Sequence, residues 1–366
     1  MISGWTDAFR GKRVLVTGHT GFKGGWLSLW LSELGADVTG YALAPVTQPN
    51  LFTAARVADR VRHVDGDVRD LASLRRAWTA CRPDVVFHLA AQAIVRESYR
   101  KPIDTITTNV VGTTHVLELA REASAPVAVV CVTSDKCYDN VEWGYGYRED
   151  DRLGGADVYS GSKAAAEVVI SSYQRSFFSS PDGAAVASAR AGNVIGGGDW
   201  SADRLVPDCV RALAAGRPID VRHPEAVRPW QHVLEPLAGY LTLGAALQRR
   251  DATGLMARGP WNFGPTIPNA RPVGALVAAM VREWGSGSWH HPPDDGGGHE
   301  ATLLRLSIDK AQMRLGWQPR WDFDQAVRRT VEWYRAYYEG GDVIRRSIAQ
   351  IAEYSASEQP APAARV

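Results

Sequence analysis

Residues 13–24 constrain the fold more than any other stretch of this chain. Arg13-Val14-Leu15-Val16-Thr17 reads as a buried strand, Gly18-His19-Thr20-Gly21-Phe22-Lys23-Gly24 as a glycine turn, and Trp26 to Leu34 as the apolar helix that the turn opens. Glycine permits a tight turn and lets backbone N–H groups approach an anion, while a helix start presents unpaired donors and a partial positive charge. The G-x-x-G-x-x-G spacing therefore reads as a cradle for a dinucleotide pyrophosphate, formed by Gly18, Thr20, Gly21, Phe22, Lys23 and Gly24. With 35 glycines in 366 residues the spacing alone is weak. The strand before it and the helix after it give it weight against a purely structural turn.

The same strand-then-helix rhythm continues. Strand-like runs at Arg13 to Thr17, Asp37 to Tyr41, Val61 to Val64, Val85 to Leu89, Val127 to Thr133 and Ala185 to Arg190 alternate with helix-length segments. This predicts an α/β fold, a Rossmann-type doubly wound parallel sheet over residues 1–190. From 191 to about 355, loops rich in Gly, Pro and Trp with helices at Arg204 to Ala215 and Val233 to Gln248 predict a smaller mixed α/β substrate lobe. Segments around 230–265 have the option of rejoining the sheet. Residues 356–366 lack core-forming side chains and read as a disordered tail.

Basic and acidic residues balance, 41 against 40, and no basic stripe stands out, which argues against a nucleic-acid partner. The apolar runs are of strand length, and none nears the roughly 20 residues of a spanning helix. Met1 to Asp7 does not combine a basic region with an apolar one, so the expectation is a cytoplasmic protein with no membrane partner. Cys81, Cys131, Cys137 and Cys209 lack C-x-x-C or zinc spacing and read as reduced thiols, with Cys81 and Cys131 in the core. Trp284 to His299 contains His290, His291, Asp294, Asp295 and His299, but the surrounding glycines and prolines predict a flexible loop, and no metal site is expected.

Two clusters carry chemistry. Tyr159 and Lys163 form a Y-x-x-x-K pair at the start of a helix, so both side chains share one face. A nearby ammonium favours the phenolate, which makes Tyr159 a candidate base for a hydroxyl proton as hydride leaves carbon; Lys163 is also a candidate to hold a nicotinamide ribose. Thr133-Ser134-Asp135-Lys136-Cys137-Tyr138 follows an apolar strand, so its polar residues emerge at the carboxyl edge of the sheet, where such folds bind ligands.

From Lys12 to about Tyr338 the chain resembles the extended short-chain dehydrogenase/reductase family, whose members join a glycine-rich turn and a Y-x-x-x-K pair to a nucleotide-sugar lobe. Within that family Thr133 to Asn140, Arg190 to Trp200 and Arg228 to Leu237 resemble sugar 4,6-dehydratases that act on CDP-glucose. The resemblance implies NAD, regenerated in each turnover and held by the glycine turn, Asp67 and Val68, Leu89, Ala90 and Ala91, Asn109, Tyr159 and Lys163. It also implies oxidation at C4 of the sugar, loss of the C5 proton and the C6 hydroxyl as water, and return of the hydride to C6. Ser134 would bond the C4 oxygen, Asp135 would be the acid at O6, and Lys136 the base at C5. For that role Lys136 needs burial or a neighbouring cation to lose its proton. The alternatives are that Lys136 pairs with Asp139, or that it exchanges roles with Asp135.

For the substrate, Arg204 and Arg228 are candidates for a diphosphate, Asn193 for a phosphate or sugar oxygen, Trp200 or Trp230 for covering a ring, and Gln92 and Arg96 for facing the sugar. The plainer readings are that Arg228 bridges the lobes, the tryptophans are core, Asp67 caps a helix, Asn109 bonds neighbouring backbone and Arg96 lies on an exposed helix. The chain departs from the family at Asp157-Val158, where proline is commoner, and at Gly161, where serine is usual. Gly161 predicts a helix start weakened by about 1 kcal/mol and a widened pocket. After the second strand, Tyr41-Ala42-Leu43 supplies neither an acid for a ribose nor an arginine for a 2′-phosphate, so NAD rests on the resemblance. Apolar positions at Thr107 to Arg121 and Ser160 to Phe177 suit pairing across a two-fold axis, which predicts a homodimer.

Overall fold

The computed structural model describes residues 5–180, 182–292 and 303–357. Six strands form on the predicted runs: β1 (Arg13–Thr17), β2 (Asp37–Ala42), β3 (Arg62–Asp65), β4 (Val85–His88), β5 (Ala128–Val132) and β6 (Ala185–Ala191). A seventh strand, Gly259–Phe263, lies beside β6. The sheet runs from that strand through β6, β5, β4, β1 and β2 to β3, and every pair is parallel. The chain builds outward from β1 in both directions, so a crevice opens where the carboxyl ends of β1 and β4 part.

Apart from the edge strand β3, the strands are buried on both faces, and alternation decides which core each side chain joins. Val14 and Val16 enter one core with Trp26, Trp30 and Leu237, while Leu15 enters the other with Leu74, Leu117 and Ile170. Helix α1 (Phe22–Glu33) is apolar nearly all round because it is enclosed, touching the sheet, helix Leu234–Leu247 and helix Val343–Ala356. The first core continues without a break past residue 190, through Trp230, Leu241, Trp261, Leu276, Trp317 and Tyr334. Helix Leu234–Leu247 packs on β5 and β6, which carries this later part of the chain onto the sheet.

Three short ladders shape the rest: Val194–Ile195 with Gln231–His232, Val227–Pro229 antiparallel to Ala270–Pro272, and Ile219–Asp220 with Trp289–His290. The last corrects the expectation of a loop over 284–299. His290 Nε2 lies 3.1 Å from Asp220, and His291 Nδ1 lies 2.9 Å from the Val221 carbonyl oxygen, so both are tied to the lobe. Asp294, Asp295 and His299 lie outside the described residues. Among the described residues no three His, Cys, Asp or Glu side chains gather as a metal site, and no helix is long and apolar enough to cross a membrane. The final helix reaches Ala356, one residue into the segment read as a tail; 358–366 lie outside the described residues. All four cysteines are buried and free.

Candidate active site

At the end of β1, Gly18 turns with φ +77°, and its N–H donates to the Tyr41 carbonyl at 2.9 Å. A Cβ there would sit 2.6 Å from Ala90 N, so the turn and the segment after β4 close on each other through missing side chains. A Cβ at Gly24 would lie 2.1 Å from the Gly18 carbonyl oxygen. Helix α1 starts at Gly21 with no side-chain cap, which leaves the donors of its first turn for an anion. The cradle therefore fits a dinucleotide pyrophosphate. Beside it, Leu89 N donates to Thr17 O and Ala90 N to Thr17 Oγ1, which fixes the half-buried Leu89-Ala90-Ala91 segment.

Several residues expected at the cofactor also make contacts within the frame. Thr20 Oγ1 donates to the Leu43 carbonyl, and Phe22 packs at Gly196. Asn109 accepts from Gln92 N at 2.9 Å and donates to Gln92 O and Ser162 Oγ, so its amide is engaged within the protein and pins the segment after β4 to the helix Val158–Phe177. Asp67 is not a helix cap, since Asp70 caps Leu71–Cys81. Its carboxylate is held by Arg69, which keeps it below the usual carboxylate range despite partial burial. Val68 is buried against Gly112. Lys23, expected on phosphate, is close enough to Asp135, Arg204 and Lys163 to feel their charges. Burial pushes it down to about 8, with Arg204 and Lys163 adding and Asp135 opposing.

The catalytic wall forms where β5 ends. Ser134 caps a single turn over Asp135–Cys137; its Oγ accepts from Lys136 N at 3.2 Å and donates to Asp135 Oδ1 at 3.0 Å. Facing it is the helix Val158–Phe177, started by Asp157, which accepts from Ser160 N and Ser160 Oγ. The residue pair that departs from the family's proline thus supplies the helix cap. Tyr159, Ser134 and Asp135 are all buried, and the Tyr159 hydroxyl faces Ser134. Burial raises the Tyr159 phenol above its ordinary value, helped by Asp135 and Asp157, while Ser134 and Arg204 oppose. Arg204 is thus a cation that favours the phenolate. Lys163 is buried, and burial takes it down to about 8 against the pull of Glu167. Lys136 is exposed rather than buried, and Asp139 pairs with Arg152 at 3.2 Å, not with Lys136.

From Asp135 a cavity of about 440 Å³ runs outward past Gly146, Gly192, Pro229, Gly264 and Arg305. A Cβ at Gly192 would lie 2.4 Å from Asp135 Oδ2, so the carboxylate occupies space that this glycine leaves. Asn193 is exposed at the end of β6, and Arg228 is half-buried on the ribbon beside Pro229. Arg204 lies 3.6 Å from Asp199 and biases both Tyr159 and Lys23, which places it at the catalytic end. Four residues expected at the substrate are engaged within the protein. Gln92 turns its amide onto Ile94 and Thr105. Trp200 packs among Trp333, Tyr334 and Tyr337, and Trp230 is buried with its Nε1 on the Arg271 carbonyl. Arg96 reaches Asp203 at 2.7 Å from an exposed helix. Gly161 faces the outer groove with Pro102, Ile103 and Val158, so it does not widen the cavity.

Sequence reasoning missed Arg305, Gln312 and Thr266 on the cavity wall and the Gly192 keyhole. Arg305, Gln312 and Thr266 belong to no motif singled out in the sequence, and Gly192, though inside the stretch Arg190 to Trp200, gives no local sign that it faces Asp135; only the folded topology brings them together.

A family model described as GDP-mannose 4,6 dehydratase matches residues 15–253. The chain is 47% identical over 356 residues to the CDP-glucose 4,6-dehydratase of Salmonella typhimurium, covering 94% of this chain and 97% of that protein. It is 27% identical to a dTDP-glucose 4,6-dehydratase of Xanthomonas campestris, over 87% of this chain and 92% of the relative. Among solved structures, the dTDP-glucose 4,6-dehydratase of Bacillus anthracis in complex with NAD matches with a TM-score of 0.73 at 21% identity, over 90% of this chain and 99% of that one. At that identity the likeness speaks for the fold.

Proposed function

This chain belongs to the GDP-mannose 4,6-dehydratase family, and from that premise we propose that it is an NAD-dependent hydro-lyase converting CDP-glucose to CDP-4-dehydro-6-deoxyglucose. The observation that carries the reading is the convergence of Tyr159, Ser134 and Asp135 in one buried wall beside the glycine cradle. The chemistry the cofactor supplies when bound is removal of a hydride at C4 and its return at C6. Tyr159 takes the C4 hydroxyl proton, with Ser134 bonded to the same oxygen and Arg204 favouring the phenolate. Asp135 and Lys136 serve as the acid–base pair of the elimination, Asp135 at O6 as the buried member and Lys136 on the open side, where the oxidised cofactor, when bound, would be the neighbouring cation that its role at C5 needs. Lys163 holds the ribose of the cofactor, and Arg228 and Arg305 are suited to the diphosphate.

A nucleotide-sugar 4-epimerase needs Tyr159 but no carboxylic acid at O6. Burial of Asp135 at the inner end of the cavity favours elimination. CDP-glucose deuterated at C4 tests the choice: the proposed reaction releases water and moves the label to C6, whereas retention of the C6 hydroxyl overturns it. The reading includes a cytoplasmic homodimer. Ile103, Ile106, Val111, Val168 and Phe177 are exposed on the outer faces of the helices around 102–122 and 158–177, where they line or flank a groove of about 450 Å³.

A further inference from the structure

Behind the catalytic wall lies a second charged cluster to which the reaction as described gives no task. Glu167 stands one helical turn beyond Lys163, and it forms an ion pair with Arg190 at 2.8 Å in which both side chains are 3% exposed. Its carboxylate also accepts from the hydroxyls of Thr133 and Ser188. Those donors come from the end of β5 and from β6, and Thr133 directly precedes Ser134. Arg190 is held in turn: its Nη1 donates to the Tyr138 hydroxyl at 2.8 Å and to the Glu149 carbonyl at 2.9 Å, and its guanidinium lies 4.9 Å from the Tyr138 ring centre.

A buried ion pair does little for stability, because desolvating two charges offsets most of their attraction and a packed apolar pair serves as well. What this one adds is a negative charge beside Lys163. The other titratable groups that face Lys163 are Cys131 on β5, Cys137 on the turn after it, His88 on β4 and Lys23 on α1. Burial drives both thiols up and His88 down to about 3, so these stay neutral, and Lys23 has the same sign as Lys163. Glu167 is the carboxylate in this set.

We propose that Glu167 is a positioning residue for Lys163: anchored by Arg190, Ser188 and Thr133 one helical turn away, its carboxylate keeps the buried ammonium charged. The same hydrogen bonds fix the root of the Ser134–Asp135 wall. The proposal rests on the reading that Lys163 serves the reaction. With Glu167 present, burial already takes Lys163 down to about 8; without it the ammonium gives up its proton at still lower pH.

Competitive acetylation with trace acetic anhydride across a pH series, read by mass spectrometry on the Lys163 peptide, reports the protonation midpoint without relying on turnover. In Glu167→Gln that midpoint falls by about one pH unit or more, a tenfold change in proton affinity, and the alkaline limb of kcat moves with it. Glu167→Asp recovers part of the shift. Because Glu167→Gln strands a buried guanidinium, Glu167→Gln combined with Arg190→Met is measured beside it; both charges are then gone, and a fall in the same direction, smaller because a cation has gone too, is expected. A midpoint that stays at the wild-type value in these variants overturns the proposal. If the midpoint falls while kcat keeps its pH profile, the role of Glu167 stands, and the assignment of Lys163 to the reaction is what fails.

Discussion

The two sides of the crevice are built by different means. On the cofactor side the ligand-facing surface is mostly backbone, drawn from 18–24 and 89–91, and its shape is set by side chains that glycine lacks. On the substrate side the surface is assembled from short pieces far apart in sequence, at 135, 144–146, 192, 229, 264–270 and 305–312. A local cradle can be specified by a few adjacent residues. A composite rim depends on the whole topology, and each residue on it is replaceable with smaller loss.

The largest effect belongs where the two sides meet. Tyr159→Phe removes the hydroxyl that faces Ser134 while leaving the ring in its buried place, so turnover falls by about 10²- to 10⁴-fold with the fold intact. Rapid-quench measurement of product checks it, and turnover within a few-fold of wild type places the base elsewhere. Next comes the cradle itself. In Gly24→Ala the new methyl meets the Gly18 carbonyl oxygen at 2.1 Å, backbone against backbone, and neither can move without opening the turn. NADH affinity, followed by fluorescence titration, weakens by about 100-fold, equivalent to roughly 2.7 kcal/mol. Unchanged affinity would mean that backbone does not shape that side.

On the substrate side a single methyl acts through a side chain. Gly192→Ala brings its Cβ within 2.4 Å of Asp135 Oδ2, and the carboxylate rotates away from its place at the inner end of the cavity. Displacement of an acid by about 1 Å lowers kcat by roughly 10- to 100-fold while KM changes little. Steady-state kinetics with CDP-glucose separates the two parameters; a rise in KM with kcat preserved would make Gly192 a binding position instead.

This contrast also explains what was legible in the sequence. The six strands, the glycine turn and the Tyr159–Lys163 spacing follow from local periods and adjacent residues, and the structure has them in those places. Errors gathered at polar and aromatic side chains whose partner lies far along the chain. Trp200 looks available for a sugar until Trp333 and Tyr337, more than 130 residues later, surround it. Nothing in the sequence shows that Gln92 and Asn109 bond to each other. Arg305 carries no local signal because its neighbours in space, Asp135 and Gly192, are not its neighbours in sequence.

The smallest expected effect concerns a joint between the sheet and the C-terminal part, where a second buried carboxylate contrasts with Glu167. Glu235, on helix Leu234–Leu247, accepts from the backbone N–H groups of Arg320 and Trp321 and, at 2.6 Å, from the Tyr354 hydroxyl. The Arg320 guanidinium turns instead to the carbonyls of 354–357. With neutral donors in place of a paired cation, burial pushes Glu235 up to about 7 from 4.5, although those hydrogen bonds pull the other way. Between these values the folded chain keeps a proton that the unfolded chain has released, so this contribution to stability is complete below about 4.5 and is lost as pH rises through about 7. Glu235→Gln has no proton to lose. Its unfolding free energy in urea therefore lies below that of the wild type at pH 5, and the gap closes by about 2–4 kcal/mol by pH 8, with kcat unaffected. A gap that does not change with pH would show that the carboxyl is already ionised throughout, and that three neutral donors at this joint do the work that Arg190 does behind the active site.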